Sequence, residues 1–192
     1  MSLNNPLLQS YDLPPFSAIR AEHVQPAIEQ ILEDNRVAIA QILKTQGQQP
    51  TWAGLVLAMD ELNDRLGAAW SPVSHLNAVC NSAELREAYE ACLPALSAYS
   101  TEMGQNRELF QAFEALANSP EAAGFDVAQK TILEHSLRDF RLSGIDLPPE
   151  QQKRYAEVQS KLSELGSRFS NQLLDATQPG PSTSPMKPPS PA

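Results

Sequence analysis

The chain has 192 residues, 42% of them hydrophobic, and carries 14 Lys+Arg against 23 Asp+Glu for a net charge of −9. That length and apolar content suit about one domain with a real core. The acidic balance, with Lys and Arg scattered rather than striped, argues against nucleic acid and anionic membranes as partners, since both require a basic face.

The opening stretch, MSLNNPLLQSYDLPPF, has neither a basic leader nor an apolar run, so it does not read as a secretory signal. No apolar run approaches the roughly 18 residues of a membrane span, and a cytoplasmic protein is the expectation. Cys80 and Cys92 have no metal-like or CxxC spacing and both fall on apolar faces, which predicts two buried free thiols in a reducing compartment.

Residues 1–20 are expected to form an irregular arm, with Pro6, Pro14 and Pro15 holding the backbone extended and the aliphatics and Phe16 laying it on the body. A helical body over 21–178 follows. Its first helix begins near Glu22, with Pro26 acceptable only in a first turn. Val24, Ile28, Ile31, Ile39 and Ile42 recur at helical spacing, with a phase drift near Asn35, until TQGQQP ends the pattern. Thr51 is placed to cap a second helix striped by Trp52, Leu55, Met59, Leu62, Leu66 and Trp70. Pro72 is expected to break or kink it.

A third helix starts at Ser82 and aligns Leu85, Ala88, Tyr89, Cys92, Leu96 and Tyr99, with a kink expected at Pro94 and Gly104 as its terminating residue. QNRELFQAFEALANS is a short fourth helix ended by Ser119-Pro120. Asp126 caps a fifth, which carries Leu133, Leu137 and Phe140 and closes at Gly144. The last helix, opened by Pro148-Pro149, sets Tyr155, Val158, Leu162, Leu165, Phe169 and Leu173 three or four apart. That narrow stripe is closer to a coiled-coil seam than to a broad core face. No segment alternates as strands do, so the fold class is all-α.

Chemistry-bearing motifs are sparse. There is no HExxH, no GxxxxGK[ST] and no GxGxxG. His23, His75 and His135 stand far apart without a carboxylate at ligand spacing and read as structural or solvent-facing. WSPVSH and LEHSLRDF place Ser beside His, a weak signal without an oxyanion hole or nucleophile elbow. Acidic pairs such as Glu33-Asp34 read as solvated helix faces. No residue of this chain is assigned a catalytic, cofactor-binding or metal-ligating role.

Three separated blocks carry more: LPPFSAIRAEHVQPAIEQIL, AAWSPVSHLNAVCNSAELREAYEACLPALSAYSTEMGQN, and LEHSLRDFRLSGIDLPPEQQKRYAEVQSKLSELGSRFSNQLLDAT. In this order they resemble the N-terminal part of the thimet oligopeptidase family of zinc metallopeptidases, over essentially all of residues 4–178. The resemblance implies a neurolysin-like, mainly helical body with a deep channel that admits short peptides, one wall of which this region would build. It also implies that the zinc is held well downstream, by an HExxH helix and a further glutamate that this chain does not contain. The expectation is therefore a truncated N-terminal domain, inactive alone, whose last helix would pack against helices absent here or self-associate. The alternative is a non-catalytic helical module that binds peptides or other proteins.

Residues 179–192, PGPSTSPMKPPSPA, have no periodicity and are expected to be a disordered Pro/Ser-rich tail. Members of the family look to continue here with a helix such as AWTKHVTDEAALAGL. Written in GC-rich codons and read with one G deleted, that stretch becomes the observed tail followed by a stop. The Met186-Lys187 pair leaves little codon freedom, because ATG AAR forces Glu in the other frame. The tail thus reads as an out-of-frame translation of a helix, with a genuine Pro/Ser linker as the other reading.

Overall fold

A computed structural model describes residues 5–47 and 49–177; the proline-rich tail lies outside the described residues. The described residues form six α-helices and no strand: α1 (Ala21–Gln46), α2 (Ala58–Val79), α3 (Ala83–Gly104), α4 (Arg107–Ala117), α5 (Val127–Leu142) and α6 (Pro149–Thr177). The all-α expectation holds. The arm is not wholly irregular, since Pro6–Leu8 and Phe16–Ala18 form 3-10 turns.

The long helix α1 is central and packs on α2, α3 and α4. Its Val24, Ala27, Ile28 and Ile31 are fully enclosed, joined in the core by Leu55, Val73, Leu109 and Leu116. Aromatic pairs tie the layers together. Trp70 stacks on Tyr89 at 4.7 Å between α2 and α3, and Phe140 of α5 meets Phe110 and Phe113 of α4 edge-on.

The phase drift in α1 has a specific cause. Asn35 is fully buried at a position the apolar stripe would occupy, and its Nδ2 donates to the Leu62 carbonyl at 3.3 Å and to the Tyr99 hydroxyl at 3.4 Å. Its neighbours reach the same two helices: Asp34 accepts from Arg65 of α2 at 2.7 Å, and Arg36 pairs with Glu102 of α3 at 2.9 Å. Three consecutive residues therefore fix the register of α1 against α2 and α3. Asp34, read from sequence as part of a solvated face, is half of an inter-helix ion pair. The Arg65 hydrogen bond, ahead of the Gln30 one, holds its carboxyl below the usual carboxylate range.

The helix termini follow their sequence signals. Thr51, Ser82, Asn106 and Asp126 each accept a backbone N–H in the first turn that follows. Trp52–Leu57, which opens the second element, is π-helical before α2 continues it. At the end of α5, Gly144 takes φ +85°, its N–H reaches the Arg141 carbonyl, and the Ile145 N–H reaches Phe140. This is a Schellman closure with Ile145 buried beneath it.

Three expectations are corrected. Pro26 sits in the second turn of α1 rather than the first. Pro72 does not end its helix, because α2 runs on to Val79. Its missing N–H orphans the Ala68 carbonyl, and the Tyr11 hydroxyl of the arm donates to that oxygen at 2.5 Å. Pro94, as expected from its place in the pattern, lies inside α3. Gly104 is the last helical residue rather than a left-handed cap. A Cβ there would meet the Cβ and Oγ of Ser143 at 2.6 Å, so the glycine is required by close approach of α3 to the end of α5.

The Pro72 arrangement has a testable consequence. Tyr11→Phe should cost about 1 kcal/mol by re-orphaning the Ala68 carbonyl. In a Pro72→Ala background, where the helix supplies its own N–H, that cost should vanish in a urea-denaturation cycle. An undiminished cost would show that Tyr11 acts through packing alone.

Candidate functional site

None of the chemistry-bearing residues singled out in the sequence converge. His23 is used locally, its Nδ1 accepting the Arg20 N–H at 3.1 Å at the start of α1. His75 rests against Phe16 of the arm, ring centres 5.5 Å apart. His135 is exposed on α5, and the neighbouring Ser136 hydroxyl donates to the Ile132 carbonyl at 2.8 Å. Among the described residues, no three His, Cys, Asp or Glu side chains cluster as a metal ion requires.

The cysteines separate. Cys92 is buried, donates to the Ala88 carbonyl at 3.3 Å, and has its thiol pushed up to about 11 by burial. Cys80, expected to be buried, is exposed, because it lies one residue beyond the end of α2 where no helix covers it.

The distinctive surface is built by α6, which lies along α3. The residues of α6 turned toward the body are mostly small or polar: Gln152, Ala156, Gln159, Ser163, Ser167 and Asn171 are half-buried, together with Tyr155 and Leu174. Polar contacts hold this face at its two ends. Gln152 Nε2 donates to the Gly144 and Ile145 carbonyls at 3.2 and 3.1 Å. At the far end, Arg86 of α3 grips Asp175 through two hydrogen bonds of 3.0 and 2.8 Å, and Asn171 donates to Glu90. Between the helices are cavities of about 390 Å³, bordered by Glu90, Pro94, Ser167 and Arg168, and about 370 Å³, bordered by Leu96, Thr101, Tyr155 and Ser163.

Apart from Tyr155, which was expected in the stripe but is half-buried beside α3, the apolar stripe faces the other way. Val158, Leu162, Leu165, Phe169 and Leu173 are between 38% and 66% exposed, and no residue of α6 is buried. An amphipathic helix ordinarily turns its apolar face to the core; here the polar face meets the body and the apolar face meets solvent. A second apolar feature, a cleft of about 420 Å³, opens where α2 through α5 converge, with Met59, Leu66, Met103 and Phe113 inside and Asp139 on its rim.

The Arg86–Asp175 grip predicts an acid-sensitive helix end. Its hydrogen bond to Arg86 lowers the Asp175 pKa. A depressed carboxylate contributes stability fully above its unfolded value of about 3.9 and loses it as pH falls through the lower folded value. Amide protection in the last two turns of α6, measured against intrinsic exchange rates, should therefore fall selectively below about pH 4. Arg86→Ala should produce the same loss of protection already at neutral pH.

Among the described residues the chain is an all-α body with an uncovered apolar helix and no clustered set of metal-ligating side chains. The family model for the neurolysin/thimet oligopeptidase N-terminal domain matches residues 28–153, and the chain belongs to that family. It is 56% identical over 179 residues to oligopeptidase A of Haemophilus influenzae, covering 92% of this chain and 26% of that protein. It is 49% identical over 175 residues to oligopeptidase A of Escherichia coli, covering 91% and 26%. With the probable cytosolic oligopeptidase A of Arabidopsis thaliana the identity is 33% over 175 residues, covering 91% and 25%. The chain thus spans about a quarter of the length of these relatives. No helix among the described residues is long and apolar enough to cross a membrane.

Proposed function

We propose that this chain is the N-terminal helical segment of an oligopeptidase A-like zinc endopeptidase that hydrolyses short peptides in the cytoplasm. In the assembled enzyme it builds one wall of the substrate channel, while the zinc and the groups that activate water belong to the remaining three quarters of the polypeptide. The observation that carries this reading is the outward apolar face of α6, on a chain that aligns over nine-tenths of its length with a quarter of the oligopeptidases A. Such a face, with about 1.5–3 kcal/mol available for each large side chain fully buried, is the seam along which a missing portion would attach.

On this reading the chain alone has no peptidase activity. Purified protein, with and without added zinc, should leave a quenched fluorescent peptide uncut. Zinc-dependent cleavage that survives further purification would overturn the assignment.

A further inference from the structure

The rims of the α6 stripe are chemically unequal, and this defines what covers it. In heptad terms Leu162 and Phe169 occupy one seam position, Val158 and Leu165 the other, and Leu173 extends the face at its C-terminal end. Arg154, Lys161 and Arg168 recur one heptad apart along the edge beside Val158 and Leu165. Glu157 and Glu164 stand behind that row and pair with Arg154 and Lys161 at 3.0 and 2.7 Å, on the side turned away from the seam. The opposite edge, Gln159, Gly166 and Ser170, is uncharged. One rim is therefore basic and the other neutral.

A notch interrupts the apolar face. Gly166 lies among Leu162, Leu165, Phe169 and Leu173, and a Cβ placed on it would meet nothing within 4 Å. A mid-helix glycine is unfavourable to the helix and here makes no close contact within the chain. What it provides is a hole between large side chains, the shape that receives a knob from a facing helix.

A second copy of this chain is a poor complement. Antiparallel pairing would bring Lys161 and Arg168 of one basic row against the same residues of the other, and parallel pairing would set each row against Gln159, Gly166 and Leu173, which carry no charge. We infer that the α6 face is the seat of an amphipathic helix from the portion of the oligopeptidase polypeptide that this chain lacks. That helix carries acidic residues along the edge facing Arg154, Lys161 and Arg168, and a large apolar side chain that enters the Gly166 notch. The inference rests on the proposed function for the source of the helix, and on the geometry of α6 for its chemistry.

The test uses the whole chain and two sets of peptides. Overlapping peptides of about 25 residues, enough for roughly 37 Å of helix, tile the part of the Haemophilus influenzae oligopeptidase A outside the aligned segment. A designed helix with a leucine seam is added in two forms, with Glu or with Lys on its flanking positions. The expected result is capture of tiled peptides whose helical pattern has an apolar seam and one acidic edge. The Glu-flanked design should bind roughly tenfold or more tightly than its Lys twin, with the gap closing at high salt. Gly166→Gln should weaken capture while leaving thermal stability equal or higher, since glutamine favours the helix. That variant keeps the test independent of folding.

Capture of the Glu design without any tiled peptide would refute the source and leave the chemistry standing. Equal binding of the Glu and Lys designs, undiminished binding by Gly166→Gln, or dimerisation of the chain through α6 would overturn the inference itself. A peptidase-active isolated chain would overturn the proposed function without touching the Glu–Lys comparison.

Discussion

Ile28→Ala should lower the unfolding free energy by about 2–5 kcal/mol, whereas Phe169→Ala should change it by no more than about 0.5 kcal/mol. The two residues look equivalent in sequence, each a large apolar side chain in a helical stripe. Ile28 is fully enclosed in the core where α1 meets its neighbours, so truncation leaves a cavity that close-packed helices cannot collapse around. Phe169 is 66% exposed on α6, and its removal uncovers little that was dry. Against a typical total of about 5–15 kcal/mol, the first loss is a large fraction of the fold's stability. Urea titrations read both, as a shifted midpoint at constant slope for Ile28→Ala and an unmoved midpoint for Phe169→Ala. A cost at Phe169 comparable to that at Ile28 would mean that α6 turns its apolar face inward.

Gly104→Ala is the second large effect, and its sign is decided by two opposed terms. Alanine is the better helix former by about 1 kcal/mol. Its Cβ, however, would stand 2.6 Å from the Cβ of Ser143, an atom fixed to backbone that can retreat only by moving the end of α5. Ser143 is also held in place there, since its carbonyl accepts from Gln105 Nε2 at 3.0 Å. Overpacking of this kind costs about 1–3 kcal/mol, so the net effect is destabilisation. Ser143→Gly removes the opposing Cβ and should rescue Gly104→Ala, giving a favourable coupling in the double-mutant cycle. Additive costs would show that the two helix ends do not touch.

Much of the fold was legible because its determinants are local. The stripe Leu55, Met59, Leu62 and Leu66, the caps Thr51, Ser82 and Asp126, and the closure at Gly144 depend on residues within a turn or two of one another. What was missed depends on partners distant in the chain. Pro72 reads as a helix breaker until Tyr11 is known to satisfy the Ala68 carbonyl. Gly104 reads as a cap until Ser143 is known to press against it. Asn35 registers only as a phase error, since the Leu62 carbonyl and Tyr99 that receive its amide lie on other helices.

The candidate site shows the same division. Periodicity identified the stripe on α6 and its seam-like width, but periodicity states only that one face is apolar. Its outward direction follows from Ser163, Ser167 and Asn171 on the opposite face and from the Arg86–Asp175 grip, none of which has a local signature.

The most direct measurement is a chimaera in which residues 1–177 replace the aligned N-terminal quarter of Haemophilus influenzae oligopeptidase A. If the α6 face is the seam for the rest of such a polypeptide, the chimaera should fold and cleave short peptides in a zinc-dependent manner, with kcat/KM within about tenfold of the parent. A Phe169→Glu chimaera should lose that activity, although the same substitution barely affects the isolated chain. A chimaera that binds zinc and cleaves nothing, or one indifferent to Phe169→Glu, would contradict the account.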